Sequence, residues 1–224
     1  AYDVERLKHL LMKNDLEVSG FCLIYPKHMR HASPSEKYRK RSLSYTMKLI
    51  DLASEVGAKI IVWGSGYARN IPEGVTTKVG LGWLIDLLKK AGEYSIDRGV
   101  TIAIEPLNRY ESNIMNTVDS VLNVVSKVDL PTVKIVCDTF HMNIEDCSIG
   151  KAIEKAGKTL VHMHLSDSNR RIPNEGHIDF NELFSSLRRI EYEGYLTVEA
   201  ILIGDARKEL IRARKRVRYL LING

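Results

Sequence analysis

Cysteines and long apolar runs are both scarce in this sequence of 224 residues. Its three cysteines, Cys22, Cys137 and Cys147, are an odd number without the spacing of a metal site. A disulfide framework is therefore not expected, whereas a reducing compartment is. No stretch approaches the roughly 18–20 consecutive apolar residues that cross a membrane, and the first residues are unlike a signal peptide. These absences predict a cytoplasmic protein.

Neither sign of charge is in large excess, because 33 Lys and Arg against 28 Asp and Glu leave a net charge of +5. The excess basic residues are concentrated at residues 37–41 and 212–218, in predicted helices whose apolar residues keep helical spacing. We interpret both runs as solvated outer faces of helices. Neither nucleic acid nor a membrane is expected as a partner, while a homo-oligomer, either a dimer or a tetramer, is compatible with the sequence.

Short strands and amphipathic helices alternate along the chain. The predicted strands are nearly continuous in apolar character, as strands covered on both faces should be; they lie at residues 17–24, 59–63, 101–105, 133–138, 160–165 and 195–200. The predicted helices lie at residues 4–11, 33–57, 81–97, 117–128, 149–156, 180–190 and 206–221. Since no linker or compositional break is visible, one domain is predicted over residues 1–224.

Repeated βα units predict a parallel sheet that is either doubly wound or closed into a barrel. No Gly-x-Gly-x-x-Gly motif follows any strand, which removes the main support for a dinucleotide-binding fold. Polar residues instead end four of the strands, where barrel enzymes carry their chemistry. We therefore predict an α/β protein with a (β/α)8 TIM-type barrel. Only six βα units are recognisable, so we expect the barrel domain to be N-terminally incomplete, with two further strands encoded before Ala1.

Four strand ends carry a side chain that could bind a metal: Glu105, Asp138, His164 and Glu199. A carboxylate that ends a buried apolar strand is costly unless it is paired or coordinated. Three carboxylates that converge on one imidazole repel one another unless a cation lies among them. This mostly oxygen ligand set suits Mn²⁺, Co²⁺ or Mg²⁺ better than structural Zn²⁺, which favours thiolates and imidazoles.

Three motifs carry a resemblance to a known family. They are Glu105-Pro-Leu-Asn-Arg-Tyr-Glu111, Asp138-Thr-Phe-His-Met-Asn143, and the segment from His162-Met-His-Leu-Ser-Asp through Gly-His-Ile-Asp179. In order, spacing and strand-end placement they resemble the sugar phosphate isomerase/epimerase superfamily of xylose isomerase-like TIM barrels. Within that superfamily they are most similar to the D-tagatose/D-psicose (ketose) 3-epimerases, over about residues 18–203.

The resemblance implies an isomerase of carbohydrate metabolism that inverts C3 of a ketose through a cis-enediolate. It also implies one divalent ion, Mn²⁺, Co²⁺ or Mg²⁺, and a sugar as the small-molecule substrate. The implied metal ligands are Glu105, Asp138, His164 and Glu199. The implied catalytic acid/base pair is Glu105 and Glu199, and the implied substrate-binding residues are Glu111, His141 and Arg170.

Inversion of a stereocentre beside a carbonyl requires a base on each face of a flat intermediate, and two glutamates from different strands meet that requirement. The same site could instead serve an aldose–ketose isomerase of the hydroxypyruvate type. Dehydration of an inosose-like polyol is another alternative. An endonuclease IV-like DNA repair enzyme is a further alternative, but the strand ends at Ile24 and Trp63 lack the extra histidines of its zinc cluster. A non-catalytic sugar-binding module would not need the second carboxylate.

The remaining histidines are assigned by their position on the strands. His162 and His164 point to the same face because side chains alternate along a strand. We assign His164 to the metal, since it is nearer the strand end, and interpret His162 as a hydrogen-bonded core residue. His28 and His31 are predicted to lie on the surface.

Overall fold

The computed structural model describes residues 3–22 and 24–223, with side chains up to Ile222. The helices are α1 Val4–Lys13, α2 Glu36–Glu55, α3 Gly66–Arg69, α4 Thr77–Ile96, α5 Val118–Val128, α6 Thr139–Glu145, α7 Ile149–Ala156, α8 Phe180–Arg189 and α9 Ala206–Asn223. The strands are β1 Ile60–Trp63, β2 Thr101–Ile104, β3 Val133–Asp138, β4 Leu160–Leu165 and β5 Tyr195–Val198. None of the helices within the described residues is both long and apolar enough to cross a membrane.

Contacts along the chain define two compact units. Unit 1 contains residues 1–104, 111–114 and 124–134, and unit 2 contains residues 105–110, 115–123 and 135–224. The single domain predicted over residues 1–224 stays a prediction.

Unit 1 is built on the parallel pair of strands β1 and β2. Ile60 lies opposite Thr101, and Trp63 lies opposite Ile104 at the carboxyl end of the pair. Every residue of β1 is buried, because α2 and α4 pack against these strands and against each other. The continuous apolar character of both strands therefore reflects burial, as predicted for a parallel sheet.

Unit 2 contains the parallel strands β4 and β5 together with residues 135–138 of β3, whose first two residues belong to unit 1. Asp138, the last residue of β3, pairs in register with His164 of β4, and His164 pairs with Thr197 of β5. Helices α7, α8 and α9 pack in sequence order, α7 against α8 and α8 against α9. The parallel register brings the carboxyl ends of the three strands to the same edge, where polar side chains can meet.

The strand predicted at residues 17–24 is wrong as a strand. Within the described residues it contributes a single bridge, in which the Phe21 amide donates to the Ile60 carbonyl at 2.9 Å and the Phe21 carbonyl accepts from Val62 at 2.8 Å. Leu23 lies outside the described residues. The described residues thus hold five strands instead of the six predicted.

Two short helices, α3 and α6, were not predicted. Helix α6 has only seven residues and begins directly after β3, with Asp138 as its N-cap, whose carboxylate accepts from the Phe140 amide at 2.9 Å. A segment this short has too few turns to show an apolar period. The omission matters, because α6 carries His141.

Candidate metal and active site

Glu105, Asp138, His164 and Glu199 form one cluster within unit 2. Asp138 and His164 lie side by side at the ends of β3 and β4, Glu105 follows β2, and Glu199 follows β5. Each side chain offers one ligand atom, and these four atoms all lie within 4.8 Å of one another. Glu105, Asp138 and His164 are buried, and Glu199 is partly exposed.

Two carboxylates converge on one ring nitrogen in this cluster. Nδ1 of His164 is 2.9 Å from Oε1 of Glu105 and 2.5 Å from Oε2 of Glu199. One imidazole nitrogen carries at most one proton, so it cannot give a full hydrogen bond to both oxygens. Oε2 of Glu199 is buried and forms no hydrogen bond within the described part of the chain. The donor set fits a divalent cation, which binds several oxygens and a nitrogen at once.

The titration of the cluster reflects its surplus of carboxylates. Burial raises the pKa of Asp138 to about 7; Arg170 opposes this shift, and the charges of Glu105 and Glu199 add to it. Burial alone would lower the pKa of His164, but the close approach and negative charge of the Glu105 and Glu199 carboxylates raise it to about 10. Burial acts to raise the pKa of Glu199, yet His164 and Arg170 lower it overall. These shifts all follow from the burial and the crowding of three carboxylates around His164 and Arg170.

Arg170 and His141 lie beside the cluster, and their role in substrate binding stays a prediction. The Arg170 guanidinium forms an ion pair with Asp138 and another with Glu199, the latter at 3.1 Å, and lies 4.9 Å above the Phe140 ring. Nε2 of His141 is 3.9 Å from Oδ2 of Asp138. Glu111, the third predicted substrate-binding residue, is exposed and belongs to unit 1, and its role stays a prediction.

Arg170 lies in the loop between β4 and α8, and hydrogen bonds to the Asp167 carboxylate fix the conformation of this loop. The fully buried carboxylate of Asp167 accepts backbone hydrogen bonds from Ser168 at 2.7 Å, Glu175 at 3.0 Å and Ile178 at 3.1 Å. Arg170 itself adopts a left-handed backbone conformation, with φ of 60°. The fixed loop therefore holds a strained residue whose side chain reaches two of the candidate ligands.

Of the predictions for the other histidines, those for His162 and His28 are confirmed, the latter because His28 is exposed, and the one for His31 is wrong. His162 is buried and shares a hydrogen bond of 3.1 Å with Thr197, which confirms the core interpretation. His31 was predicted on the surface but is only 1% exposed. Its ring stacks on Trp63 at 5.2 Å and meets the edge of Tyr25 at 4.6 Å. This burial could not be predicted from local sequence, because the ring of Trp63 comes from a separate segment of the chain.

Parallel strands that alternate with helices and carry polar side chains at their carboxyl ends are typical of βα-barrel proteins. The chain belongs to the family of xylose isomerase-like TIM barrels, whose model matches residues 1–218. The family confirms the predicted fold class.

Curated relatives of this chain are named sugar epimerases. The chain is 34% identical over 160 residues to the D-psicose 3-epimerase of Agrobacterium fabrum, a match that covers 71% of this chain and 54% of that protein. It is 29% identical over 205 residues to the 3-dehydro-D-guloside 4-epimerase of Escherichia coli, covering 88% of this chain and 77% of that protein. The chain thus spans about half the length of the first of these relatives.

A solved structure has the same fold. The D-psicose 3-epimerase of Clostridium cellulolyticum, determined with D-tagatose, superposes with a TM-score of 0.87 and 26% identity. The superposition covers 97% of this chain and 83% of the other. This agreement confirms the resemblance inferred from the sequence motifs.

Proposed function

We propose that this protein is a metal-dependent epimerase that inverts C3 of a ketose through a cis-enediolate. The observation that carries the proposal is the cluster of three carboxylates and one imidazole, with all four ligand atoms within 4.8 Å. The names of the relatives support the substrate class. The cluster supports the chemistry, because removal of a proton beside a carbonyl needs both a base and a stabiliser of negative charge.

We assign Glu105, Asp138, His164 and Glu199 to one divalent ion. The oxygen-rich donor set favours Mn²⁺, Co²⁺ or Mg²⁺. When bound, the ion would hold the carbonyl and adjacent hydroxyl oxygens of the sugar and neutralise the charge that develops on them.

Glu105 and Glu199 are the proposed acid/base pair. They follow different strands and approach His164 Nδ1 from two directions, at 2.9 and 2.5 Å. In each direction of the reaction one glutamate removes the proton at C3, and the other delivers a proton to the opposite face. Asp138 lacks this role, because its buried carboxylate is held by Arg170 and by the Phe140 amide.

Arg170 and His141 are proposed to bind the oxygens that gain charge during the reaction. Arg170 bridges Asp138 and Glu199, so its guanidinium lies beside two of the proposed metal ligands. A cation at this position stabilises negative charge on a substrate oxygen bound next to it. Glu111 is proposed to accept a hydrogen bond from a hydroxyl group of the sugar.

A 4-epimerase of keto sugars is a second candidate. The relative of that name in Escherichia coli matches 88% of this chain and 77% of its own length, more than the Agrobacterium enzyme on both counts. The chemistry is equivalent, because C4 of a 3-keto sugar also lies beside a carbonyl. A panel of ketoses and 3-keto sugars with Mn²⁺ distinguishes the two by the carbon that changes configuration.

The test of the acid/base pair is the substitution of each glutamate by glutamine. Glu105→Gln and Glu199→Gln keep the shape and one oxygen ligand but remove the base, so turnover should fall by about 10²–10⁴-fold. The control is Glu154→Gln, which breaks an exposed ion pair with Arg189 and should leave turnover unchanged. Near wild-type rates in both glutamine variants would refute the two-base assignment.

Hydrogen exchange in D₂O separates the proposal from aldose–ketose isomerisation. A 3-epimerase exchanges the C3 hydrogen of a ketose, and one glutamine variant should still exchange it without inversion. Deuterium that enters only at C1 or C2 would establish the aldose–ketose isomerase instead. Metal analysis separates the DNA repair alternative: we expect one ion per chain, whereas two or three tightly bound zinc ions would support an endonuclease IV-like site.

A further inference from the structure

Nδ1 of His141 faces two hydrogen-bond donors from Asn108. The Asn108 side-chain nitrogen is 2.8 Å from Nδ1, and the Asn108 backbone N–H points to the same atom at 3.4 Å. A backbone N–H can only donate, so at least one of these two groups requires Nδ1 to accept. An imidazole nitrogen accepts only when it carries no proton.

The orientation of the Asn108 amide is fixed independently of His141. Its Oδ1 accepts a hydrogen bond of 3.0 Å from the backbone N–H of Tyr110. That bond identifies the oxygen of the amide, and the other terminal atom, which faces His141, must therefore be the NH₂ group. Both donors thus direct a hydrogen at Nδ1, and the proton of a neutral His141 has to lie on Nε2.

A second pair of residues, Arg109 and Glu145, joins the loop after β2 to helix α6. Glu145 lies four residues after His141 on α6, so both face the same side of the helix. The Glu145 carboxylate accepts from the backbone N–H of Arg109 at 2.6 Å and from two nitrogens of its guanidinium, each at 2.9 Å. Asn108 and His141 are each only 2% exposed. The hydrogen bonds between Arg109 and Glu145 therefore hold Asn108 close to His141, and the contact between the amide and the imidazole is shielded from water.

We propose that Asn108 is a positioning residue that holds His141 as the tautomer protonated on Nε2. This nitrogen is the one on the side of the cluster, 3.9 Å from Oδ2 of Asp138. His141 then presents an N–H donor to a substrate oxygen. Because Nε2 already carries its proton, His141 does not serve as the base, and that role remains with Glu105 and Glu199. This consequence for catalysis rests on the proposed function, whereas the tautomer does not.

The tautomer is measured directly by NMR of the protein with ¹⁵N-labelled histidine, at neutral pH and with diamagnetic Mg²⁺. The His141 signals are assigned by their loss in His141→Gln. We expect Nδ1 to show the shift of an unprotonated nitrogen and Nε2 that of a protonated one. A wild-type His141 with its proton on Nδ1 overturns the inference, whether or not the protein epimerises a sugar.

Substitution of Asn108 tests its part in this arrangement. In Asn108→Asp the carboxylate accepts where the amide donated, so Nδ1 should take up a proton and its ¹⁵N signal should move to the protonated range. We expect kcat to fall by about 10²–10³-fold, as when one donor to a developing oxyanion is lost, with a smaller change in KM. Asn181→Asp, which introduces the same charge at an exposed position of α8, should change neither the spectrum nor kcat.

A milder variant covers the case in which the aspartate variant does not fold. Asn108→Ala removes the side-chain donor but keeps the backbone N–H, so both tautomers of His141 should become populated and kcat should fall less than in Asn108→Asp. Retention of the pure Nε2–H form in Asn108→Ala, together with wild-type kcat, would show that Asn108 does not position His141.

Discussion

His31 should make the protein less stable as the pH falls, and the size of the effect follows from its surroundings. The ring is 1% exposed, and neither of its nitrogens has a hydrogen-bond partner among the residues that the structure describes. Burial, together with the nearby charge of Arg69, lowers the pKa of His31 from 6.5 to about 3. The folded protein therefore keeps this histidine neutral at a pH where the unfolded chain protonates it.

Proton linkage gives the sign and the size of the effect of pH on the free energy of unfolding. Between the unfolded pKa of 6.5 and the folded pKa of about 3, only the unfolded state binds the proton, so stability falls as the pH falls. When only the unfolded state binds one proton, each decrease of one pH unit lowers the free energy of unfolding by about 1.4 kcal/mol. From pH 7.5 to pH 5, His31 alone should thus remove about 2 kcal/mol from the free energy of unfolding.

Urea unfolding at several pH values between 7.5 and 5 measures this contribution. His31→Leu fits the apolar surroundings and has no proton to bind, so the variant should lose about 2 kcal/mol less than the wild type over this range. His9→Leu, which removes an exposed histidine from α1, is the control for loss of an imidazole as such. If wild type and His31→Leu lose the same free energy, the ring is protonated in the folded protein and the reasoning is wrong.

Two further predictions concern the loop that holds Arg170 and the metal cluster. A Cβ on Gly176 would lie 2.2 Å from Oδ1 of Asp167, whose carboxylate is held in place by backbone hydrogen bonds from Ser168 and Ile178 to Oδ1 and from Glu175 to Oδ2. Gly176→Ala should therefore cost about 1–3 kcal/mol in urea unfolding, whereas Gly82→Ala, in open space on α4, should gain about 0.5–1 kcal/mol; equal effects would contradict the account. A divalent ion at 100 times its Kd should stabilise the wild type by about 2.7 kcal/mol, or about 5–10 °C in Tm. Asp138→Asn should lose most of this rise and the exposed control Asp119→Asn should keep it, while a full rise in Asp138→Asn would remove Asp138 from the ligand set.

Much of the site could be predicted because each of its residues ends a recognisable strand. β3 and β4 have the predicted bounds, since both are mostly apolar runs that are followed by polar residues. Asp138 and His164, predicted from these ends, are paired in register in the structure. The predicted strand at residues 17–24 failed for the opposite reason. Within the described residues this segment forms a single bridge. The prediction failed because local pattern does not reveal which segments find a neighbouring strand.

The sequence by itself determined the fold class, the alternation of strands and helices, and the four residues of the cluster, because period and strand ends are local properties of the chain. Only the tertiary structure decided how these residues interact. Three interactions join segments that are far apart in sequence. They are the contact of two carboxylates with one nitrogen of His164, the packing of His31 against aromatic rings, and the hydrogen bond between Asn108 and His141. Such contacts depend on distances in space, which folding sets through packing and which no spacing along the chain encodes.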